Sequence, residues 1–325
     1  MSPIRSASRY RHTDELWLLT SYFNPAGFES RLRNYQRFRS VIEASGLRLV
    51  TIECAFAEAP FQLSRDANTI QVRARDVLWQ KERLLNVALA RLPGECRKVA
   101  WVDGDVLFEN ADWAVETARL LEDYTVLQPF ETAVWLSPER EEALGDEHTS
   151  HSFAAAYAKD PASARLGRWE AHGETGFAWA ARREVLEEGL YDGCVIGGAD
   201  HVMAHAFAHG LEAPCVSRIV RNELHREHFA RWGRVCGQRT DGRIGVVPGA
   251  LLHLWHGERE KRRYLERYRE LATFNLDPRA DLRVGPEGCW EWASDKLELH
   301  RFAGSYFAQR FEDGGGPPGS EVEKL

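Results

Sequence analysis

Leu16-Trp17-Leu18-Leu19-Thr20 and Leu47-Arg48-Leu49-Val50-Thr51-Ile52, with the stretch between them, decide the fold class. The first run is continuously apolar, as a strand buried on both faces must be, and the Asn24-Pro25-Ala26-Gly27 turn ends it. From about Phe28 to Ala44, Leu32, Tyr35, Phe38 and Ile42 recur at three- and four-residue steps, which makes one apolar helix face, and Gly46 stops the helix. Strand, helix and strand within about forty residues form a right-handed βαβ unit. The expected fold is α/β: a Rossmann-like, mostly parallel sheet flanked by helices.

Further along, Thr69-Ile70-Gln71-Val72 reads as a short strand, and Trp79 to Leu92 as a helix ended by Pro93-Gly94. Lys98-Val99-Ala100-Trp101-Val102 is a strand that runs straight into Asp103-Gly104-Asp105. Tyr124 to Phe130 reads as another strand, Ser137 to Ala164 as polar surface helix and loop, and Arg183 to Gly189 as a short helix. Glu174 to Ala181 is apolar again, Ala199 to Gly210 forms a helix after the Gly197-Gly198 turn, and Leu251 to Trp255 precedes a charged helix from Glu258 to about Ala272. The resulting division is a polar leader (1–13), one large domain (14–275), a C-terminal helical extension (276–312) and a disordered tail (313–325) rich in Gly and Pro.

With 44% hydrophobic residues the chain can bury a large core, and its net charge of −7 argues against a nucleic-acid partner. No apolar run reaches the roughly 18 residues a membrane span needs, and the first fifteen residues lack a signal-peptide core, so the default location is cytoplasmic. Six scattered cysteines without a C-x-x-C pair read as reduced, buried thiols.

Two carboxylates flanking Gly104 at a strand end suit a hard divalent cation that also takes phosphate oxygens, and ligands of open α/β sheets collect at that edge. His253-x-x-His256-Gly257 offers a further ligand, with His256 the better candidate and His253 behind it. Asp200, after Gly197-Gly198-Ala199, is either a residue favoured by the helix dipole or a general base for an acceptor hydroxyl. His201, His205 and His209 share a helix face, which reads as a polar face in preference to zinc. In the charged helix, Arg263 lies one to two turns from His256 and is the candidate clamp for a diphosphate. The absence of G-x-G-x-x-G, G-x-x-x-x-G-K-S/T and G-x-S-x-G removes dehydrogenase, P-loop and serine-hydrolase readings.

The order of these motifs carries more than any one of them. Gln80-Lys81-Glu82-Arg83-Leu84-Leu85-Asn86, Trp101-Val102-Asp103-Gly104-Asp105, Thr175-Gly176-Phe177-Ala178, Gly197-Gly198-Ala199-Asp200 and then His256 resemble, as short matches over residues 15–272, the GT-A glycosyltransferases. Within these the chain looks most like β-1,4-galactosyltransferase-type and related polypeptide sugar-transferase catalytic domains. The resemblance implies that Asp103, Asp105 and His256 bind Mn²⁺ (or Mg²⁺). It puts Ser21, Tyr22, Gln80, Lys81, Arg83, Asn86 and Gly104 by the nucleotide, and Thr175 and Gly176 by the donor sugar. Asp200 would be the base of an inverting transfer, from a nucleotide-sugar, UDP-sugar favoured, to a glycan or other hydroxyl acceptor. Ala199 stands where the family has an acidic residue, and no basic residue follows the first strand. Trp135, Trp169 and Trp179 are candidate acceptor platforms. A metal-dependent phosphohydrolase or nucleotidyltransferase could use the same acidic pair, and a non-catalytic sugar-binding relic could keep the fold.

Overall fold

The computed structural model describes residues 15–137, 148–167 and 172–314. In chain order the strands are β1 (Leu16–Phe23), β2 (Arg48–Phe56), β3 (Thr69–Ala74), β4 (Lys98–Val102), β5 (Val106–Phe108), β6 (Val126–Gln128), β7 (Thr132–Trp135), β8 (Thr149–His151), β9 (Ala178–Arg182), β10 (Ile244–Val246), β11 (Ala250–His253), β12 (Leu282–Val284) and β13 (Trp290–Trp292). The longer helices are α1 (Glu29–Ala44), α2 (Lys81–Ala90), α3 (Trp113–Leu120), α4 (Ala199–Phe207), α5 (Glu223–Thr240), α6 (Glu266–Thr273) and α7 (Leu297–Ala308).

The main sheet has the order β10-β6-β9-β4-β1-β2-β3. Only β9 runs against its neighbours; the others point one way, so their carboxyl ends share an edge. Alternation explains the unbroken apolar runs. On β1, Leu19 and Phe23 enter one core while Leu16, Leu18 and Tyr22 enter the other, and on β4 Val99 and Trp101 part from Ala100 and Val102 in the same way. Each fully buried Leu of this kind contributes about 1.5–3 kcal/mol of hydrophobic stabilisation.

A smaller sheet, β5-β11-β7-β8, stands beside the carboxyl edge. Its register sets Val106 of β5 opposite His253 of β11, and His253 opposite Trp135 of β7. The chain thus leaves β4, passes through Asp103-Gly104-Asp105 and pairs at once with the strand that ends in His253. Among the described residues no helix is long and apolar enough to cross a membrane.

Several expectations need correction. The charged segment is not one helix: a short 3₁₀ turn (Arg259–Arg262) stops at Arg263, which is left-handed at φ 45°, before α6 begins. The break turns Arg262 inward and Arg263 outward. Helix α5 has a faint apolar period because His225, Gly233, Cys236 and Gly237 occupy much of its buried face, so the pattern leaves it unread. Between Ser137 and Ala164, Phe153 and Ala154 are fully buried, so that helix is no surface element. Helix α4 is buried on nearly every side: His201 and His205 are interior, not a polar face, and His209 is exposed beyond its end.

The C-terminal segment adds a hairpin, β12–β13, as well as α7, and its Leu299, Ala303 and Phe307 join the core shared by β1 and β2. Asp313, expected to begin a disordered tail, accepts hydrogen bonds from the backbone N–H groups of Glu29 and Ser30 at 2.9 and 2.7 Å. It supplies the N-terminal cap that Phe28 cannot give α1. The expected leader, the tail beyond Gly314 and Trp169 lie outside the described residues.

Candidate functional site

The cleft is built where β4 ends. The Asp103 N–H donates to the Phe177 carbonyl at 2.7 Å, and the Asp105 carbonyl accepts from the Leu254 N–H at 2.8 Å. The two carboxylates are therefore tied to different walls, and they serve different neighbours.

On one wall, Asp105 Oδ2 lies 3.1 Å from His256 Nε2, which lies 3.1 Å from His253 Nε2. The ligand atoms of the three residues all fall within 4.8 Å of one another. On its far side His256 turns Nδ1 to Glu312 Oε1 at 3.2 Å, and Glu312 is itself held by Arg31 (3.1 Å) and Arg310 (2.6 Å). Burial opposes a charge on Glu312, but Arg31, Arg310 and His256 outweigh it and hold the carboxyl well below the usual range. Glu312 thus fixes the imidazole on its Nδ1 side and turns Nε2 toward Asp105. Burial also works against Asp105, yet His256, His253 and Arg31 keep its carboxyl ionised below its ordinary value. Arg262 stands beside them, its Nη2 at 3.0 Å from His256 Nε2.

On the other wall, Lys81 Nζ bridges Asp103 Oδ1 at 2.5 Å and Asp200 Oδ2 at 2.8 Å. Lys81 begins α2, while Asp200 lies in the first turn of α4, after Gly198 at φ 100°. Burial would discharge the ammonium, but Asp103, Asp200 and Glu82 hold its affinity for the proton above the ordinary lysine value. Burial raises the Asp103 carboxyl, against the pull of Lys81. Gly104 does not leave room for a ligand: a side chain there would meet Tyr35 Cδ2 at 3.2 Å and Thr20 Oγ1 at 3.5 Å. Its role is to let β4 turn over Tyr35.

Ser21, Lys81, Asp103, Gly104, Asp105, Thr175, Gly176, Asp200, His253 and His256 all line the cleft, whose cationic side is made by Arg31, Arg259, Arg262, Arg267 and Arg310. Trp135 lines it too, beneath the Arg259 guanidinium at 4.5 Å, whereas Trp179 is core and donates to the Thr175 carbonyl at 2.8 Å.

Five residues expected beside the nucleotide or diphosphate lie elsewhere. Tyr22 is buried and donates to Gln62 at 2.5 Å. The Gln80 carboxamide brackets the Trp290 backbone, donating at 2.8 Å and accepting at 3.0 Å. Arg83 donates to the Gly288 carbonyl at 2.5 Å under the Trp290 ring. Asn86 makes the same two-way bracket around Leu190, at 2.9 and 2.7 Å. Helix α2 thus offers only its first side chain to the cleft and spends the rest holding β13 and the loop before α4. Arg263 points away and pairs with Glu270 at 2.5 Å.

Arg31, Arg262, Arg310 and Glu312 are contributors that sequence reading missed. Arg262 was within reach, one position from the residue chosen, but only the left-handed break decides which arginine turns in. Glu312 joins the site through a contact 56 residues from His256, with no local signal at all.

No protein-family model matches the chain, and no curated protein does. Among solved structures the chain is similar to the Drosophila β1,4-galactosyltransferase 7 catalytic domain in complex with xylobiose (13% identity, TM-score 0.30), covering 72% of this chain and 64% of that one. It is also similar to M. tuberculosis glucosyl-3-phosphoglycerate synthase (12% identity, TM-score 0.37, 84% and 85% covered). A third is mannosyl-3-phosphoglycerate synthase from Rubrobacter xylanophilus (11% identity, TM-score 0.36, 87% of each chain). Superposition this loose transfers no residue's role, and less than two thirds of the Drosophila domain is spanned.

Proposed function

We propose that the chain is a glycosyltransferase that holds a nucleoside-diphosphate sugar through a divalent cation and passes the sugar to a hydroxyl acceptor, with a UDP-sugar favoured as donor. The observation that carries this reading is the 3.1 Å approach of Asp105 Oδ2 and His256 Nε2, with Glu312 behind the imidazole and cationic side chains beside it. One carboxylate and two imidazoles fit Mn²⁺ better than Mg²⁺, which prefers all-oxygen surroundings. Asp105, His253 and His256 would hold the ion, and Asp103, occupied by Lys81, stands outside this set. A bound cation would neutralise charge on the departing nucleoside diphosphate.

The protein's own groups account for the rest. Arg31 and Arg262, which line the cleft, would take phosphate oxygens that reach the Asp105 side. Asp200, whose carboxylate lies across from Gly176, would accept the acceptor's hydroxyl proton. The acceptor oxygen forms the new bond to the anomeric carbon, the bond from that carbon to the diphosphate breaks, and the nucleoside diphosphate leaves with the electron pair. Lys81, 2.8 Å from one Asp200 oxygen, holds that carboxylate in place.

A thermal-shift panel of nucleotide-sugars with and without Mn²⁺ tests the reading. Stabilisation by one donor only when metal is present, together with acceptor-dependent release of its nucleoside diphosphate, is the expected result. No shift across the panel, or phosphate release that ignores acceptors, would overturn it.

A further inference from the structure

A second cluster of metal-ligating side chains lies at the wall of the cleft that carries Asp200, with His172 and His201 also in the cleft lining. His172, His201, His205 and Cys215 are all buried, and one ligand atom from each falls within 4.8 Å of the others. His201 and His205 project one turn apart from α4, and Cys215 comes from the first turn of a short helix (Pro214–Ile219). The Cys215 Sγ lies 3.1 Å from His205 Nε2. Ring centroids of His172 are 4.7 Å from His201 and 5.3 Å from His205, so three imidazoles and one thiol converge on one point.

We infer that His172, His201, His205 and Cys215 form a structural zinc site. A tetrahedral Zn²⁺ with bonds of about 2.0–2.3 Å holds its ligand atoms roughly 3.3–3.8 Å apart. Reaching that spacing from 4.8 Å or less moves each side chain by under about 1 Å. Nitrogen and sulfur without any carboxylate select a borderline-soft ion over Mg²⁺ or Ca²⁺. The surroundings support the geometry. His172 Nδ1 lies 2.8 Å from the Gly173 carbonyl, which makes Nε2 the ring's lone-pair nitrogen. Gly173 sits at φ 72°, where a side chain would meet the His151 and Ser152 carbonyls at 2.6 Å, so the backbone beside His172 is tightly seated.

With four protein ligands the site is closed, so the ion has a structural and not a catalytic task. It joins two walls of the cleft. His172 lies three residues before Thr175, and His201 follows Asp200 directly. Zinc would fix the loop on the donor-sugar side against the helix that presents the proposed base. That consequence rests on the glycosyltransferase reading; the metal site itself does not.

Elemental analysis and cobalt substitution of the whole chain test the inference. One equivalent of zinc should survive dialysis, and the stripped chain should take up Co²⁺ with an intense thiolate-to-cobalt charge-transfer band. Asp105→Asn should keep that band and Cys215→Ser should abolish it, so failure here is separable from failure of the Mn²⁺ site. Removing zinc should lower the melting temperature of the wild type. A wild type that neither retains zinc nor yields the band overturns the site, whether or not Cys215→Ser folds. Zinc lost in Asp105→Asn but kept in Cys215→Ser would overturn it equally.

Discussion

Replacing Lys81 by Met isolates the wall of the cleft on which the proposed base sits. Lys81 Nζ lies 2.5 Å from one Asp103 oxygen and 2.8 Å from one Asp200 oxygen, so those oxygens are at most about 5.3 Å apart. Two unit charges at that distance repel by about 3 kcal/mol at an effective dielectric constant near 20. The loss of a buried partner usually costs about 3–5 kcal/mol. Here protonation of one carboxyl limits the damage, because burial already raises Asp103. The expected destabilisation is about 2–4 kcal/mol at neutral pH, or roughly 3–6 °C in melting temperature. It should shrink toward pH 5 as a carboxyl takes up its proton. Urea unfolding followed by tryptophan fluorescence, in chelator to exclude rescue by a cation, reads the effect. Asp200→Asn in the same background should restore at least half of the loss, a coupling of about 1–3 kcal/mol. If Lys81→Met lies within about 0.5 kcal/mol of wild type, or its effect adds simply to that of Asp200→Asn, Lys81 does not compensate the pair and the reasoning fails.

Burial pushes the Glu82 carboxyl up to about 8, with Asp200 adding to it. The folded state therefore binds more protons than the unfolded one, and stability falls as pH rises from about 4.5 to about 8, by up to ~1.4 kcal/mol per pH unit. Glu82→Gln should flatten that slope in melting curves and raise stability at pH 8; an unchanged slope contradicts the assignment. Asp105→Asn should raise the Mn²⁺ concentration needed for donor-induced stabilisation at least ~10-fold, read by calorimetry or thermal shift. Arg262→Ala should weaken nucleoside-diphosphate binding by roughly 10- to 100-fold, in line with about 1.5–3 kcal/mol for a charge-assisted hydrogen bond. Arg263→Ala, a surface pair, should change it by less than about threefold, and equal effects would refute the inward turn. Gly198→Ala places a methyl group against the buried Tyr268 hydroxyl at φ 100°, so it should cost about 2–5 kcal/mol in chemical unfolding.

The parallel sheet was legible because a strand buried on both faces is mostly apolar, and β1, β2 and β4 are apolar over most of their length. Helix α1 was legible for the complementary reason, since its Tyr35, Phe38 and Ile42 repeat with the helical period. Helix α5 was not, because small and polar residues fill its buried face. The same rule divides the site. Residues at the ends of strongly patterned elements, Asp103, Asp105, Asp200 and His253, were readable as candidates, and they line one cleft. Which side chain of a helix start faces that cleft is decided by tertiary contacts. Gln80 and Asn86 are amides that bracket backbone groups, and nothing in their own segment announces Trp290 or Leu190 as the partner. Glu312 shows the limit most sharply, because its pairing with His256 exists only once the C-terminal segment has closed over α1.

That closure changes what the Asp103-Gly104-Asp105 motif is. As a pattern it reads as two equivalent ligands for one ion. In the fold the intervening glycine sends them to opposite walls, so Asp105 meets two imidazoles while Asp103 meets an ammonium. Charge on each is compensated separately: by Lys81 on the side of the proposed base, and by Arg31 and Arg262 on the side of the proposed cation. A cation bound at Asp105 therefore need not displace Lys81, and protonation of Asp200 need not disturb the cation's ligands. Under the proposed reading, separation of this kind would keep metal binding at Asp105 and proton transfer at Asp200 from competing for the same carboxylate. It also explains why Lys81, an ordinary helix-start residue in sequence, should matter as much to the cleft as either aspartate.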